Sequence, residues 1–193
     1  MESSIAPGSP ARRDNLQAAL DYAALGWPVV PGAVWHGGRF ADPVDERPVT
    51  SPLLQPVEAS TSGTELVRQW WSTPGLHAPN VFTVTGDRLG AFAVFDSLAE
   101  AIGKDPWFTA RRTPVLAVQG MPLAYFLVRP PVPEFVLSDE ARVLPDRTPI
   151  PLPPSALGRT AVIWLITPAE ARDDIATGDE LADLIHLLER RIA

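Results

Sequence analysis

Cysteine is absent from the 193-residue chain. That excludes disulfide frameworks, thiolate zinc sites, iron–sulfur clusters and cysteine nucleophiles, and a reducing cytoplasm is the compartment it fits. Histidine is scarce: His36, His77 and His186 are the whole set. His36 and His77 lie in loops without an acid at the H-x-x-E or H-x-H spacing of metal ligands, and His186 lies on the exposed side of the last helix, so surface or structural roles are expected for all three. Lysine occurs once, as Lys104, beside 15 arginines, which reads as the bias of a GC-rich genome. No apolar run approaches the roughly 20 residues of a membrane span, and the N-terminus Met-Glu-Ser-Ser-Ile has no basic region followed by an apolar stretch, so neither a membrane anchor nor a secretion signal is expected. Walker A, G-x-G-x-x-G and G-x-S-x-G patterns are missing as well, which leaves P-loop, dinucleotide-binding and nucleophile-elbow chemistry without support.

What is present describes a globular chain. Hydrophobic residues make up 46% and charged residues 20%, and a chain of this length buries roughly 70% of its unfolded surface without staples. The net charge of −7 and sequence pI near 4.9 argue against broad binding to phosphate backbones and shift the expected partner from nucleic acid toward protein. The 22 prolines imply short elements and ordered loops.

Residues 1–13 read as a flexible tail and 14–170 as one domain, with a C-terminal helical segment over 171–193. Asp14 or Asn15 can cap a helix carrying Leu16, Ala19, Leu20 and Ala23, stopped by Gly26. Val29-Val30 is a short strand, and Gly32 to Ser60 reads as a long loop of the kind that is functional or locally disordered. Ser62 and Glu65 have capping-box spacing before a helix bearing Trp70 and Trp71, a pair that can stack bases. Strands are expected at Val81–Thr85, Leu89–Phe95, Pro114–Val118, Leu123–Val128, Phe135–Leu137, Ile150–Leu152 and Ala161–Ile166. Pro114–Val118 and Leu123–Val128 read as a hairpin. A second capping box, Thr177 to Glu180, opens a helix with the stripe Leu181, Leu184, Ile185, Leu188 and Ile192. The expected fold class is α+β, a mixed or antiparallel central sheet with flanking helices. Asp96, at the end of a buried strand, has either a chemical role or that of a helix cap.

The order of segments is more specific than any single residue. Ala18-Ala-Leu-Asp-Tyr-Ala-Ala-Leu-Gly-Trp-Pro-Val-Val-Pro31, then Glu65-Leu-Val-Arg-Gln-Trp-Trp71, Pro74, Pro79-Asn-Val81, Thr85-Gly86 and later Pro153-Pro154-Ser155 with Trp164 resembles the N-terminal domain of bifunctional DNA primase/polymerases, the prim-pol family, across about Leu16 to Pro168. The resemblance implies a prim-pol-like sheet and, in an active member, Mg²⁺ or Mn²⁺ held by carboxylates for nucleotidyl transfer in DNA replication. It maps the family's D-x-D onto Asp96-Ser97-Leu98, so that only the first acid is matched. The family's G-G-x-H-x-Y-F-like hairpin maps onto Gly120-Met-Pro-Leu-Ala-Tyr-Phe126, which puts Leu123 at the histidine. The chain therefore resembles a degenerate, stand-alone member of the kind found in actinobacteria. It is expected to have lost nucleotidyl transfer, to need no cofactor and to act as a cytoplasmic binding or regulatory module. Protein is the favoured partner, and nucleic acid or a nucleotide remains open, with Arg111, Arg112 and Arg129 as phosphate contacts. Two alternatives stand beside this: an active polymerase whose metals are held by Asp96 with Glu100 or Asp139, and an interaction module that docks through the stripe of its last helix.

Overall fold

The computed structural model describes residues 10–136, 138–171 and 175–192. In chain order the elements are α1 (Pro10–Ala24), β1 (Val29–Gly32), β2 (Val34–His36), β3 (Arg39–Ala41), a 3₁₀ turn at Val57–Ala59, α2 (Thr64–Ser72), β4 (Asn80–Val84), β5 (Gly90–Phe95), α3 (Asp96–Lys104), α4 (Pro106–Ala110), β6 (Val115–Val118), β7 (Leu123–Val128), β8 (Ala141–Val143), β9 (Pro149–Leu152), β10 (Ala156–Leu157), β11 (Thr160–Ile166), α5 (Pro168–Ala171) and α6 (Gly178–Ile192). The fold class is α+β, as expected. The chain divides into two compact units, one running to Val84 and resuming over Pro149–Val162, the other comprising Thr85–Thr148 and the chain from Ile163 onward. Among the described residues no helix is long and apolar enough to cross a membrane.

The first unit is built on an antiparallel sheet in the order β1-β4-β9, with Val30 opposite Phe82 and Phe82 opposite Pro151. A Cβ at Gly32 would lie 2.3 Å from the Phe82 ring, so a larger residue there would force that ring to move. The sequence motifs behind the family resemblance turn out to brace this sheet. Asn80 is buried and donates from Nδ2 to the carbonyls of Ala33 (2.8 Å) and Ala156 (3.0 Å), while its Oδ1 accepts from Ala156 N (3.2 Å). The Ser155 hydroxyl, also buried, accepts from Val81 N at 2.7 Å and donates to Val81 O at 3.0 Å. Tyr22 donates to Pro153 O at 2.6 Å and stacks on Trp27. These buried polar groups are satisfied by backbone, so each contributes stability rather than costing it.

Three expectations for this unit are corrected. Residues 1–9 of the expected tail lie outside the described residues, but Pro10–Arg13 form the first turn of α1. Arg12 accounts for the earlier start: it is only 5% exposed, and its guanidinium donates to the carbonyls of Thr73, Gly75 (2.9 Å) and His77 (2.7 Å). The segment after Gly32 contains the β2–β3 hairpin and the 3₁₀ turn rather than loop alone. At α2 the cap residue is Gly63, with no side-chain bond, so the Ser62–Glu65 box does not form.

The second unit carries β6, β7, β5 and β8 side by side in that order, all antiparallel, with β11 next to β6. Phe92 and Val94 of β5 and Ala124, Phe126 and Val128 of β7 point to one face, where Leu98 and Ile102 of α3 and Leu181, Leu184, Ile185 and Leu188 of α6 cover them. Alternation along the strands and i, i+3, i+4 spacing along the helices produce that match. Burying each large side chain contributes about 1.5–3 kcal/mol. Here the Thr177–Glu180 box does form: Thr177 N donates to Glu180 Oε2 at 2.9 Å and Glu180 N to Thr177 Oγ1 at 3.3 Å. No strand forms at Phe135 or Val136, and Leu137 lies outside the described residues. Phe135 is 66% exposed, and the edge of β5 is paired by β8 instead.

Candidate functional site

Asp96 opens α3 directly after β5. It is the first helical residue rather than the cap, which is Phe95, and no side chain caps this end. A carboxylate at that position is favoured by the helix dipole, and the Asp96 side chain is exposed. Antiparallel pairing sets Phe95 opposite Leu123, and Asp96 N donates to Pro122 O at 3.2 Å. The acid and the position corresponding to the family's histidine are thus neighbours across β5 and β7.

Leu98 turns the other way. It is 1% exposed and packs in the core with Phe92, Val94, Ile102 and Phe108. The surface about Asp96 mixes apolar and acidic groups: Phe95 is 41% and Met121 46% exposed and Leu123 is half-buried, while Ser97, Glu100 one turn along α3, and Glu140 are exposed. Tyr125, two residues along β7, has its phenol pKa pushed up by burial. Of the other expected acids, Glu100 is bonded to Lys104 at 2.6 Å, which holds its carboxyl below the usual range, and Asp139 is exposed. Glu140, which the sequence did not single out, accepts from Ser97 Oγ at 2.6 Å. Among the described residues none of these acids belongs to a group of three ligating side chains. One exposed carboxylate followed by a core leucine is not the oxygen-rich donor set that a pair of Mg²⁺ or Mn²⁺ ions needs.

The arginines have structural partners close by. Arg111 pairs with Glu180, and Arg129 donates through Nε to Ile175 O (2.6 Å) and through its backbone to Ala176 O (2.9 Å), so both secure the start of α6. Arg112 is exposed and adds its field to Glu170, whose carboxyl is lowered first by its bond from Thr167 N. Trp71 is fully buried, with Nε1 on Pro79 O at 3.2 Å, so its ring offers no face to a base. Trp70 is half-buried and lines a pocket of about 170 Å³ with Asp42, Gln55 and His77. The apolar stripe of α6 is occupied by its own sheet, which removes Leu181, Leu184, Ile185 and Leu188 as a docking face. Ile192 lies at the helix's last position.

A second constellation was invisible in linear spacing. His36 at the end of β2, Glu46 in the turn after β3 and His77 before β4 converge, with one donor atom of each within 4.8 Å of the others. The only hints in the sequence were the Gly37-Gly38 turn, which makes β2–β3 a hairpin, and the length of the segment around it.

The family model for the bifunctional DNA primase/polymerase, N-terminal, matches residues 19–174, and the chain belongs to that family. No curated protein and no solved structure matches the chain.

Proposed function

We propose that this prim-pol domain no longer performs nucleotidyl transfer and serves as a cytoplasmic binding or regulatory module. The observation that carries the reading is the fate of the second acid position, where Leu98 is part of the core. An aspartate placed there would have to leave the helix–sheet packing to meet a metal. The half-buried Leu123 beside Asp96 supports the same reading, because a leucine neither hydrogen-bonds a triphosphate nor shares a proton. Two-metal transfer uses a carboxylate set to align the attacking hydroxyl and neutralise charge developing at phosphorus, and a single exposed Asp96 does neither job.

Partner chemistry follows from the surface that replaces the site. Phe95 and Met121 expose apolar area next to the carboxylates of Asp96 and Glu140, and the chain carries −7 overall. Such a surface suits a protein partner with an apolar contact and a complementary positive charge better than a polyanion. The test is titration of the purified chain with Mn²⁺ by calorimetry, alongside a single-stranded and a primed DNA. The reading expects no metal binding that depends on Asp96 and no saturable DNA binding at 150 mM salt. Micromolar Mn²⁺ binding abolished by Asp96→Ala would overturn it.

A further inference from the structure

We propose that His36, Glu46 and His77 form a binding site for one divalent transition-metal ion of the Zn²⁺ type, in the first unit and independent of the prim-pol acid. His77 Nε2 lies 2.7 Å and His36 Nδ1 3.7 Å from the same oxygen, Glu46 Oε1. The two imidazoles face each other at a centroid separation of 5.6 Å, with 37° between their planes. An ion with bonds of about 2.1 Å in tetrahedral geometry sets its ligand atoms about 3.4 Å apart. The three donors all lie within 4.8 Å of one another, so a shift of about an ångström at each side chain brings them to that spacing. The 2.7 Å contact is a hydrogen bond that needs a proton on His77 Nε2, and the ion takes that proton's place.

The backbone around each donor is already fixed. His36 sits in register with Arg39 across a turn whose two residues, Gly37 and Gly38, are both left-handed (φ +57° and +83°). Glu46 is itself left-handed at φ +61°, a conformation uncommon for a residue other than glycine. It is held by Glu46 N on Asp42 O (2.9 Å), by Asp42 N on Arg47 O (2.8 Å) and by the Asp42 side chain on Val44 N (2.8 Å). His77 donates its N–H to Pro43 O at 2.9 Å and accepts from Arg12 at its carbonyl. Gly75 permits the close approach of these two segments, since a Cβ would meet Pro43 O and Val44 Cα at 2.8 Å. Three segments distant in sequence therefore present their donors from a pinned scaffold, the arrangement that makes a site precise.

Donor chemistry selects the ion. Two imidazoles and one carboxylate suit Zn²⁺, Co²⁺ or Ni²⁺, whereas Mg²⁺ and Ca²⁺ prefer oxygen alone. The side chains of His36, Glu46 and His77 are 52%, 36% and 33% exposed, so an ion can enter from solvent and keep a fourth position for water. Bound, it cross-links the β2–β3 hairpin, the 42–47 turn and the segment leading into β4.

The experiment uses tag-free full chain freed of metal by chelator, titrated with ZnCl₂ by calorimetry and with Co²⁺ by visible absorption. One ion per chain is expected, with a tetrahedral Co²⁺ spectrum, a rise in Tm with added Zn²⁺ and no competition from millimolar Mg²⁺. His36→Ala and Glu46→Gln each weaken Zn²⁺ binding by at least about tenfold, and His186→Ala leaves it unchanged. His36→Ala guards against misfolding as the cause, because that side chain is exposed and its loss is checked by an unaltered metal-free Tm. No saturable Zn²⁺ binding, or equal binding by wild type and His36→Ala, overturns the proposal. Neither outcome bears on Asp96 or on nucleotidyl transfer.

Discussion

Leu98→Asp rewrites Asp96-Ser97-Leu98 as an acidic D-x-D, and the outcome separates a damaged active site from a position that has become core. Leu98 is 1% exposed among Phe92, Val94, Ile102 and Phe108. Truncation to alanine there removes the leucine's transfer energy and leaves a cavity, together about 2–5 kcal/mol. Aspartate loses the same apolar contacts and adds a polar group with no partner, a further cost of about 1–3 kcal/mol. The sum is a large part of the 5–15 kcal/mol that holds a domain together. Burial raises the folded pKa of the new carboxyl above its unfolded value. The penalty is therefore smallest in acid and grows as pH rises through about 3.9, the unfolded value. Urea unfolding of wild type, Leu98→Met, Leu98→Ala and Leu98→Asp between pH 3.5 and 7.5 should rank them in that order of falling stability, with Leu98→Met within about 1.5 kcal/mol of wild type. A Leu98→Asp variant within about 1 kcal/mol of wild type at pH 7, stabilised by Mn²⁺, would refute the packing argument, because the side chain would then have to face an open cleft.

The remaining predictions concern the fold that surrounds the site. Ser155→Ala strips Val81 of both bonds to the hydroxyl and should cost about 2–3 kcal/mol, whereas Ser62→Ala, whose capping box does not form, should stay within about 0.5 kcal/mol; equal effects in thermal unfolding would contradict the assignment. Glu180 has its carboxyl lowered, first by the bond from Thr177 N. Its stabilisation is complete above about 4.5, the ordinary value of a glutamate, and is lost as pH falls through the lower folded value. Glu180→Gln should flatten the acid limb of the stability curve, and Thr177→Ala should cost about 1 kcal/mol at pH 7. Arg12→Ala removes the guanidinium from three carbonyls of the 73–77 segment and should speed amide exchange in that segment and in the first turn of α1.

Elements governed by local rules were legible in the sequence. Leu123–Val128 matches β7 residue for residue, and the turn at Gly120 follows from its left-handed φ of +80°. The same rules predicted two capping boxes. Only Thr177 obeys, because at α2 the chain enters through Gly63, whose N–H is taken by Thr61 Oγ1 at 2.9 Å. What failed was non-local. β8 is three residues with an exposed Arg142, and it is a strand because β5 offers an edge to pair with. Phe135 has the better strand propensity and stays out in solvent. Nor could the division into two units be seen, since the first is completed by residues 149–162. At the candidate site, the missing acid and histidine were readable by position, but only packing showed that Leu98 had turned inward. The histidines met by folding: His77 and Glu46 are 31 residues apart, a separation without a pattern.

Primer extension tests most directly whether Asp96 still supports nucleotidyl transfer. Tag-free full chain at high concentration is incubated with a primed template, the four deoxynucleoside triphosphates and either Mg²⁺ or Mn²⁺, with Asp96→Ala in parallel. No extension product above the level of the variant is expected with either metal. Template-dependent extension by the wild-type chain that disappears in Asp96→Ala would contradict the proposed loss of nucleotidyl transfer.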